Sequence, residues 1–202
     1  MSTLTHLLFD LGGVIVELSG RPIADEWIDG DNTPEDSWNL WLTSEAPKAF
    51  ESGRIGVAEF GREIVAELKL TISPDEFMER FLHLPVGPFD GALPLLHALK
   101  PRYRTGIFSN SNALHWSRKM GEMHLQDAVH DHFASHLIGY VKPDPAGFRH
   151  VLESWAVAPE NVLFLDDNQL NVDAAHALGM QAARVQGVRE ASDALENAGV
   201  RW

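Results

Sequence analysis

Apolar positions along this chain follow two different patterns. Leu7-Leu8-Phe9, Thr105-Gly106-Ile107-Phe108 and Val162-Leu163-Phe164-Leu165 are short, nearly continuous apolar runs, as expected of strands buried on both faces. Between them, apolar residues recur every third or fourth position, the period of helices with one buried face. Trp38, Trp41 and Leu42, then Phe60, Ile64, Val65 and Leu68, then Phe77, Phe81 and Leu82 form three such stripes, and each predicts core packing. From about residue 17 to 84 strand-like runs vanish. From Asp90 onward helices and strands alternate, with a weaker third strand expected over Phe133 to Ile138 and a fifth over Ala182 to Val185. Strands separated by helices imply a parallel, doubly wound sheet.

Local signals set the element ends. Ser73-Pro74-Asp75-Glu76 predicts a capped helix start with proline in the first turn, and Thr33-Pro34-Glu35-Asp36 predicts a similar one. Asp90 and Asp144-Pro145 read as further N-caps, Asn112 as the approximate start of a helix, and Gly179 as a C-terminal stop. Pro85-Val86-Gly87-Pro88 reads as a linker. The expected architecture is therefore α/β, a doubly wound parallel (Rossmann-like) sheet formed by residues 1–16 and 87–202, with an inserted helical cap over 17–86.

Composition narrows the partners. The 202 residues carry a formal charge of −13, which argues against nucleic acid or an anionic membrane surface. The absence of cysteine excludes disulfides, thiolate catalysis and zinc–cysteine or iron–sulfur centres. The N-terminal stretch lacks a signal-peptide pattern and no apolar run approaches a membrane span, so a soluble cytoplasmic protein is expected. No P-loop, Gly-x-Gly-x-x-Gly fingerprint or Gly-x-Ser-x-Gly elbow is present.

Polar residues stand where the apolar runs stop: Asp10 after the first, Ser109-Asn110 after the second, Asp166-Asp167 after the fourth. In a parallel sheet these are carboxyl ends, the side on which ligands bind. Carboxylates gathered there repel one another unless a cation joins them. Magnesium suits such oxygen donors, with the Gly12 carbonyl as a further candidate ligand. Gly12-Gly13 lets the chain turn sharply after Asp10. Lys142, the Ser109 hydroxyl and N–H groups near Asn110 add a local receptor for phosphate in an otherwise acidic protein.

The ordered motifs Phe-Asp10-Leu-Gly-Gly-Val, Phe-Ser109-Asn110-Ser, Val-Lys142-Pro-Asp-Pro and Phe-Leu-Asp166-Asp167-Asn resemble those of the haloacid dehalogenase superfamily, on the phosphatase branch with a small helical cap. The resemblance implies a magnesium-dependent phosphatase acting on small phosphorylated metabolites. Asp10 would be the nucleophile that forms an aspartyl-phosphate; Ser109 and Asn110 would hold phosphoryl oxygens; Lys142 would offset charge. Asp10, Gly12, Asp167 and Asp166 would bind magnesium, with Asn171 behind them. One position departs from the pattern: most such phosphatases carry an acid–base Asp where this chain has Gly12. Acid–base help is worth about 10²–10⁴-fold, so esters with stable leaving groups, such as sugar 1-phosphates, should suffer least from its absence.

Two other readings stay open. A silent phosphate-binding or regulatory protein is compatible with Gly12, and a metal-independent 2-haloacid dehalogenase with Asp10, although the latter would not need Asp166-Asp167. His124, His130, His132 and His136 are read as surface or structural residues, and Trp38, Trp41 and Trp155 as packing. Arg21, His115 and Arg118 are candidates to approach the site.

Overall fold

The computed structural model describes residues 3–28 and 34–202. Its main sheet has five parallel strands: β1 (His6–Phe9), β4 (Arg104–Ser109), β5 (Asp131–Ala134), β6 (Val162–Asp166) and β7 (Gln181–Arg184), in the order β5-β4-β1-β6-β7. Alternation along β1 explains its unbroken apolar run. Leu7 and Phe9 face a cluster with Leu96 and Leu99 of α5 (Ala92–Leu99) and Leu195 of α10 (Gly187–Asn197), whereas Leu8 faces Phe148 and Val151 of α8 (Pro145–Trp155) and Ala175 of α9 (Gln169–Ala177). Both faces are covered, so polar residues are excluded until the strand ends.

After β1 the chain turns tightly: the Leu11 carbonyl accepts from the N–H groups of Val14, Ile15 and Val16. β2 (Val16–Leu18) then pairs antiparallel with β3 (Pro85–Pro88). The segment expected to be a linker is thus half of a two-stranded ribbon. Proline is tolerated there because a ribbon of two strands is all edge. Between the two strands lie α1 (Pro34–Thr43), α2 (Glu45–Glu51), α3 (Val57–Leu68) and α4 (Pro74–Leu82). Trp41, Phe50, Phe60, Ile64, Phe77 and Phe81 form a separate apolar cluster there, with Phe50 and Phe60 stacked at 4.2 Å.

Several element ends differ from expectation. The third strand begins earlier and stops at Ala134, and Ser135–Ile138 form a short helix, α7. Ser135 ends the strand because its hydroxyl both accepts from Ser111 N–H and donates to the Ser111 carbonyl. Asp90 does not cap α5; Gly91 occupies the N-cap at φ 83°, and Ala92 N–H bonds instead to the Phe89 carbonyl. Ser73, Asn112 and Asp144 do accept N–H groups at their helix starts. The cap assigned to Thr33 lies outside the described residues. Trp38 and Leu42, expected in the core, are 37% and 44% exposed, and only Trp41 of that stripe is buried.

Candidate active site

Strands β1, β4 and β6 end at one rim, and Lys142 rises to meet them after α7. Its Nζ donates to Asp10 Oδ1 at 2.7 Å and to Asp166 Oδ2 at 2.6 Å. The ammonium lies over the rings of Phe108 and Phe164, 5.5 and 5.4 Å from their centroids. That environment is dry, so charge is felt strongly. Burial works against the Lys142 ammonium, yet Asp10 and Asp166 outweigh it and hold its pKa above the ordinary lysine value. Burial pushes the Asp10 carboxyl up, Lys142 pulls it back, and Asp166 pushes it up again.

Asp166 and Asp167 differ in surroundings. Asp166 is fully buried, and besides Lys142 it accepts from Asn168 N–H at 2.8 Å and from Asn171 Nδ2 at 2.9 and 3.0 Å. Asp167 lines the open cleft, and its backbone carbonyl is held by Arg184 Nε at 2.9 Å. Burial, followed by the charges of Asp10 and Asp166, raises its pKa to about 7. Among the described residues, Asp10, Asp166 and Asp167 bring one carboxylate oxygen each within 4.8 Å of one another. One ammonium among the described residues, that of Lys142, is paired with Asp10 and Asp166, which leaves negative charge unbalanced when all three acids are ionised. A hard divalent cation fits this all-oxygen donor set. Gly13 allows the approach: at φ 73° it has no Cβ, and one built there would collide with the Asp167 carboxylate.

Ser109 and Asn110 reach the same cleft, which encloses about 970 Å³. Asn110 spends its side chain on Lys142, donating to the Lys142 carbonyl at 2.9 Å and accepting from its N–H at 2.8 Å. Its amide thereby aligns Lys142. Gly12 lines the cleft in ordinary backbone conformation.

The other candidates separate. Arg21 lines the cleft while bonding Asp25 at 2.6 Å. Arg118 donates to the Leu82 and Pro85 carbonyls at 2.7 and 3.4 Å, away from the acids. His115, in α6 (Ala113–Met120), must carry its proton on Nε2, because that atom lies 2.6 Å from the Phe81 carbonyl, which only accepts. Burial and the charge of Lys119 push its pKa down to about 3, against the pull of that bond. It is a neutral, committed donor. His130 and His132 bond Thr105 and the Leu125 carbonyl, in keeping with structural roles.

Among the lining residues that escaped the sequence reading are two ionisable ones from different parts of the chain, Glu51 at the end of α2 and Lys119 in α6. For Glu51 a signal existed, since an acid closing a helix opposes the helix dipole and needs another reason to be there. Trp38, Trp41, Leu42, Phe81, Leu84 and Leu170 give the cleft an apolar wall.

Comparison with known proteins shows the family and agrees with the fold. The family model "haloacid dehalogenase-like hydrolase" matches residues 4–179, so the chain belongs to that family of hydrolases. It is 27% identical over 180 residues to a protein of Aspergillus oryzae named as a sesquiterpene phosphatase, covering 89% of this chain and 88% of the relative. Its fold is similar to that of a HAD family enzyme from Bacteroides thetaiotaomicron, solved in complex with magnesium and inorganic phosphate (TM-score 0.69, 24% identity, 91% and 94% of the two chains). A HAD-like family hydrolase of Porphyromonas gingivalis matches with a TM-score of 0.76 at 20% identity over 100% of both chains. The L-2-haloacid dehalogenase of Xanthobacter autotrophicus shares the fold as well (TM-score 0.64, 20% identity, 96% and 82%). No helix among the described residues is long and apolar enough to cross a membrane.

Proposed function

We propose that this hydrolase is a magnesium-dependent phosphatase of small organic phosphate monoesters, working through an aspartyl-phosphate on Asp10. The observation that carries the reading is the set of three carboxylates around one buried ammonium at the strand ends. A dehalogenase substrate is itself a carboxylate and would be repelled by Asp166 and Asp167.

Each residue has a role in this reading. Asp10 attacks phosphorus, dividing one displacement into two easier ones. Lys142 keeps Asp10 ionised and takes up charge on the phosphoryl group. Ser109 donates its hydroxyl to a phosphoryl oxygen, while Asn110 keeps Lys142 in register. Asp10, Asp167 and the Gly12 carbonyl hold magnesium, and Asp166, saturated by hydrogen bonds, orients Lys142 and the loop that carries Asp167. Magnesium supplies Lewis-acid polarisation of the phosphoryl oxygens and neutralises the acidic cluster. The helices of residues 34–82 act as a cap that excludes water and bulky phosphoproteins.

The leaving group lies against the apolar wall, and exposed Trp38 and Leu42 favour an organic group with apolar surface. The name of the Aspergillus oryzae relative points the same way. A second reading, a sugar 1-phosphate, is favoured by Gly12, because an anomeric oxygen leaves with less need of a proton. The test is a panel of a prenyl monophosphate, a sugar 1-phosphate, its 6-phosphate isomer and an aryl phosphate, each with magnesium and with EDTA. Magnesium-dependent release of phosphate is expected, lost in Asp10→Asn. Wild-type rates in Asp10→Asn, or phosphate binding without turnover of any ester, would refute the reading.

A further inference from the structure

Loss of an alkoxide from phosphorus needs a proton, and Gly12 has no side chain to give one. Among the described residues lining the cleft, most ionisable groups are committed. Lys142 and Asp10 bond each other, Asp167 belongs to the acidic cluster, Arg184 holds the Asp167 carbonyl, and Arg21 holds Asp25. His115 is neutral and bonded to Phe81. Glu51 and Lys119 remain.

We propose that Glu51, carried by the cap, is the proton donor to the leaving group and afterwards the base that activates water, a role that rests on the phosphatase reading above. In the first step an Asp10 carboxylate oxygen bonds to phosphorus and the ester P–O bond breaks. Its electron pair stays with the leaving oxygen, which takes the Glu51 proton. In the second, Glu51 accepts a proton from water as the water oxygen bonds to phosphorus; the Asp10–phosphorus bond breaks and its electrons return to the carboxylate. The sum is ester plus water to alcohol plus phosphate.

Placement supports this. Asp10, at the end of a core strand, and Glu51, on an inserted helix, line the same cleft, so displacement in line away from Asp10 sends the leaving oxygen toward the side that carries Glu51. Its helix end is fixed to the core two residues later. Gly53, at φ 76°, lies so close to α7 that a Cβ there would sit 2.5 Å from the His136 carbonyl oxygen. The groups facing Glu51 are Trp41 from α1, Lys119 from α6, Lys142 and Asp10. Burial raises its pKa to about 7; the Trp41 indole beside it and the charges of Lys119 and Lys142 oppose that rise, and Asp10 adds to it. A phosphate dianion entering the cleft strengthens the rise and favours the neutral acid. The same dianion favours the Lys119 ammonium, whose pKa burial has lowered to about 8. Lys119 is thereby kept as a cation that binds phosphate, and Glu51 as the acid. With Glu51 as donor, the leaving group is no longer restricted to stable anions.

The test compares kcat/KM, which reports the first transfer alone, for 4-nitrophenyl phosphate and for an alkyl phosphate, in the full chain with magnesium. Nitrophenolate leaves without a proton; an alkoxide does not. Glu51→Gln, which keeps the shape and the capacity to accept from Trp41, should lower the alkyl value by about 100-fold or more and the aryl value by less than about 3-fold. The fall of the wild-type alkyl rate above pH ~7 should disappear with it. Glu51→Asp, an acid on a shorter arm, should recover part of the alkyl rate. Equal losses on both esters in Glu51→Gln would overturn the proposal, leaving Glu51 as a counter-charge for Lys119. A wild type that turns over neither ester would remove the phosphatase reading and this role together.

Discussion

Replacing Glu51 by glutamine should stabilise the protein at alkaline pH, irrespective of activity. The folded chain holds the Glu51 proton up to about pH 7, against 4.5 for an unperturbed glutamate. Between those values the folded state binds more protons than the unfolded one, so stability falls as pH rises through the window and stays low above it. Every tenfold difference in proton affinity between the two states corresponds to about 1.36 kcal/mol, so this carboxylate costs about 3 kcal/mol of stability above pH 7. Gln removes the ionisation and with it the cost. Part of the gain is returned, because Lys119 loses a neighbouring negative charge, and about 2–3 kcal/mol should remain. Urea denaturation of the metal-free proteins at pH 5 and pH 8, followed by far-ultraviolet circular dichroism, measures the difference. Asp167 titrates alike in both proteins and cancels. The variant should exceed wild type by less than about 1 kcal/mol at pH 5 and by about 2–3 kcal/mol at pH 8. A gap that does not vary with pH, or a variant less stable at pH 8, would mean that Glu51 is ionised in a favourable pair with Lys119, and the reasoning would fail.

Other outcomes follow from the glycines and the acids. Gly13→Ala forces a side chain into the left-handed region and against Asp167, so it should cost at least about 1–2 kcal/mol in denaturant titrations and weaken magnesium binding measured by calorimetry; unchanged magnesium affinity would argue against Asp167 as a ligand. Gly12→Asp meets no close contact at Cβ, whose nearest neighbours are atoms of the Leu18 side chain, at 3.5 Å and beyond. In the Glu51→Gln background it should restore the alkyl phosphate rate by about 10-fold or more, and failure to do so would show that position 12 cannot reach the leaving oxygen. Asp167→Asn should raise the magnesium concentration needed for half-maximal activity, whereas equal requirements would assign the metal to other oxygens.

The sheet was legible wherever the sequence carries an unbroken apolar run, because only strands covered on both faces require one. β1, β4 and β6 satisfy that condition, and Asp10, Ser109 and Asp166, themselves buried, mark the points where the apolar runs end. Edges were harder to read. Pro85–Pro88 pairs with one strand only, so prolines that suggested a linker do no harm there. Residues 135–138 continue an apolar texture but turn helical once Ser135 locks onto Ser111. Periodicity also cannot tell a stripe facing a core from one facing a cleft: Trp41 is buried while Trp38 and Leu42, on the same stripe, line the wall. Motif order placed Lys142 with Asp10, although 132 residues separate them. The position of Glu51 at a helix end hinted at a special role, but nothing local announced that Lys119, from the core, would share its space.

The bonds from α6 to the inserted helices bear on how such a protein could be taken apart or rebuilt. His115 and Arg118 belong to the core, yet the atoms that satisfy them are the carbonyls of Phe81, Leu82 and Pro85 at the far end of the insert. An excised core would lose these three acceptors and expose to water the imidazole and guanidinium that the insert covers, with Glu122 left as the partner of Arg118. A grafted insert from a relative would have to present backbone oxygens at those same two places, whatever its own helices recognise. Specificity can drift at Trp38 and Leu42, on the first inserted helix, while the last one stays tied to the sheet.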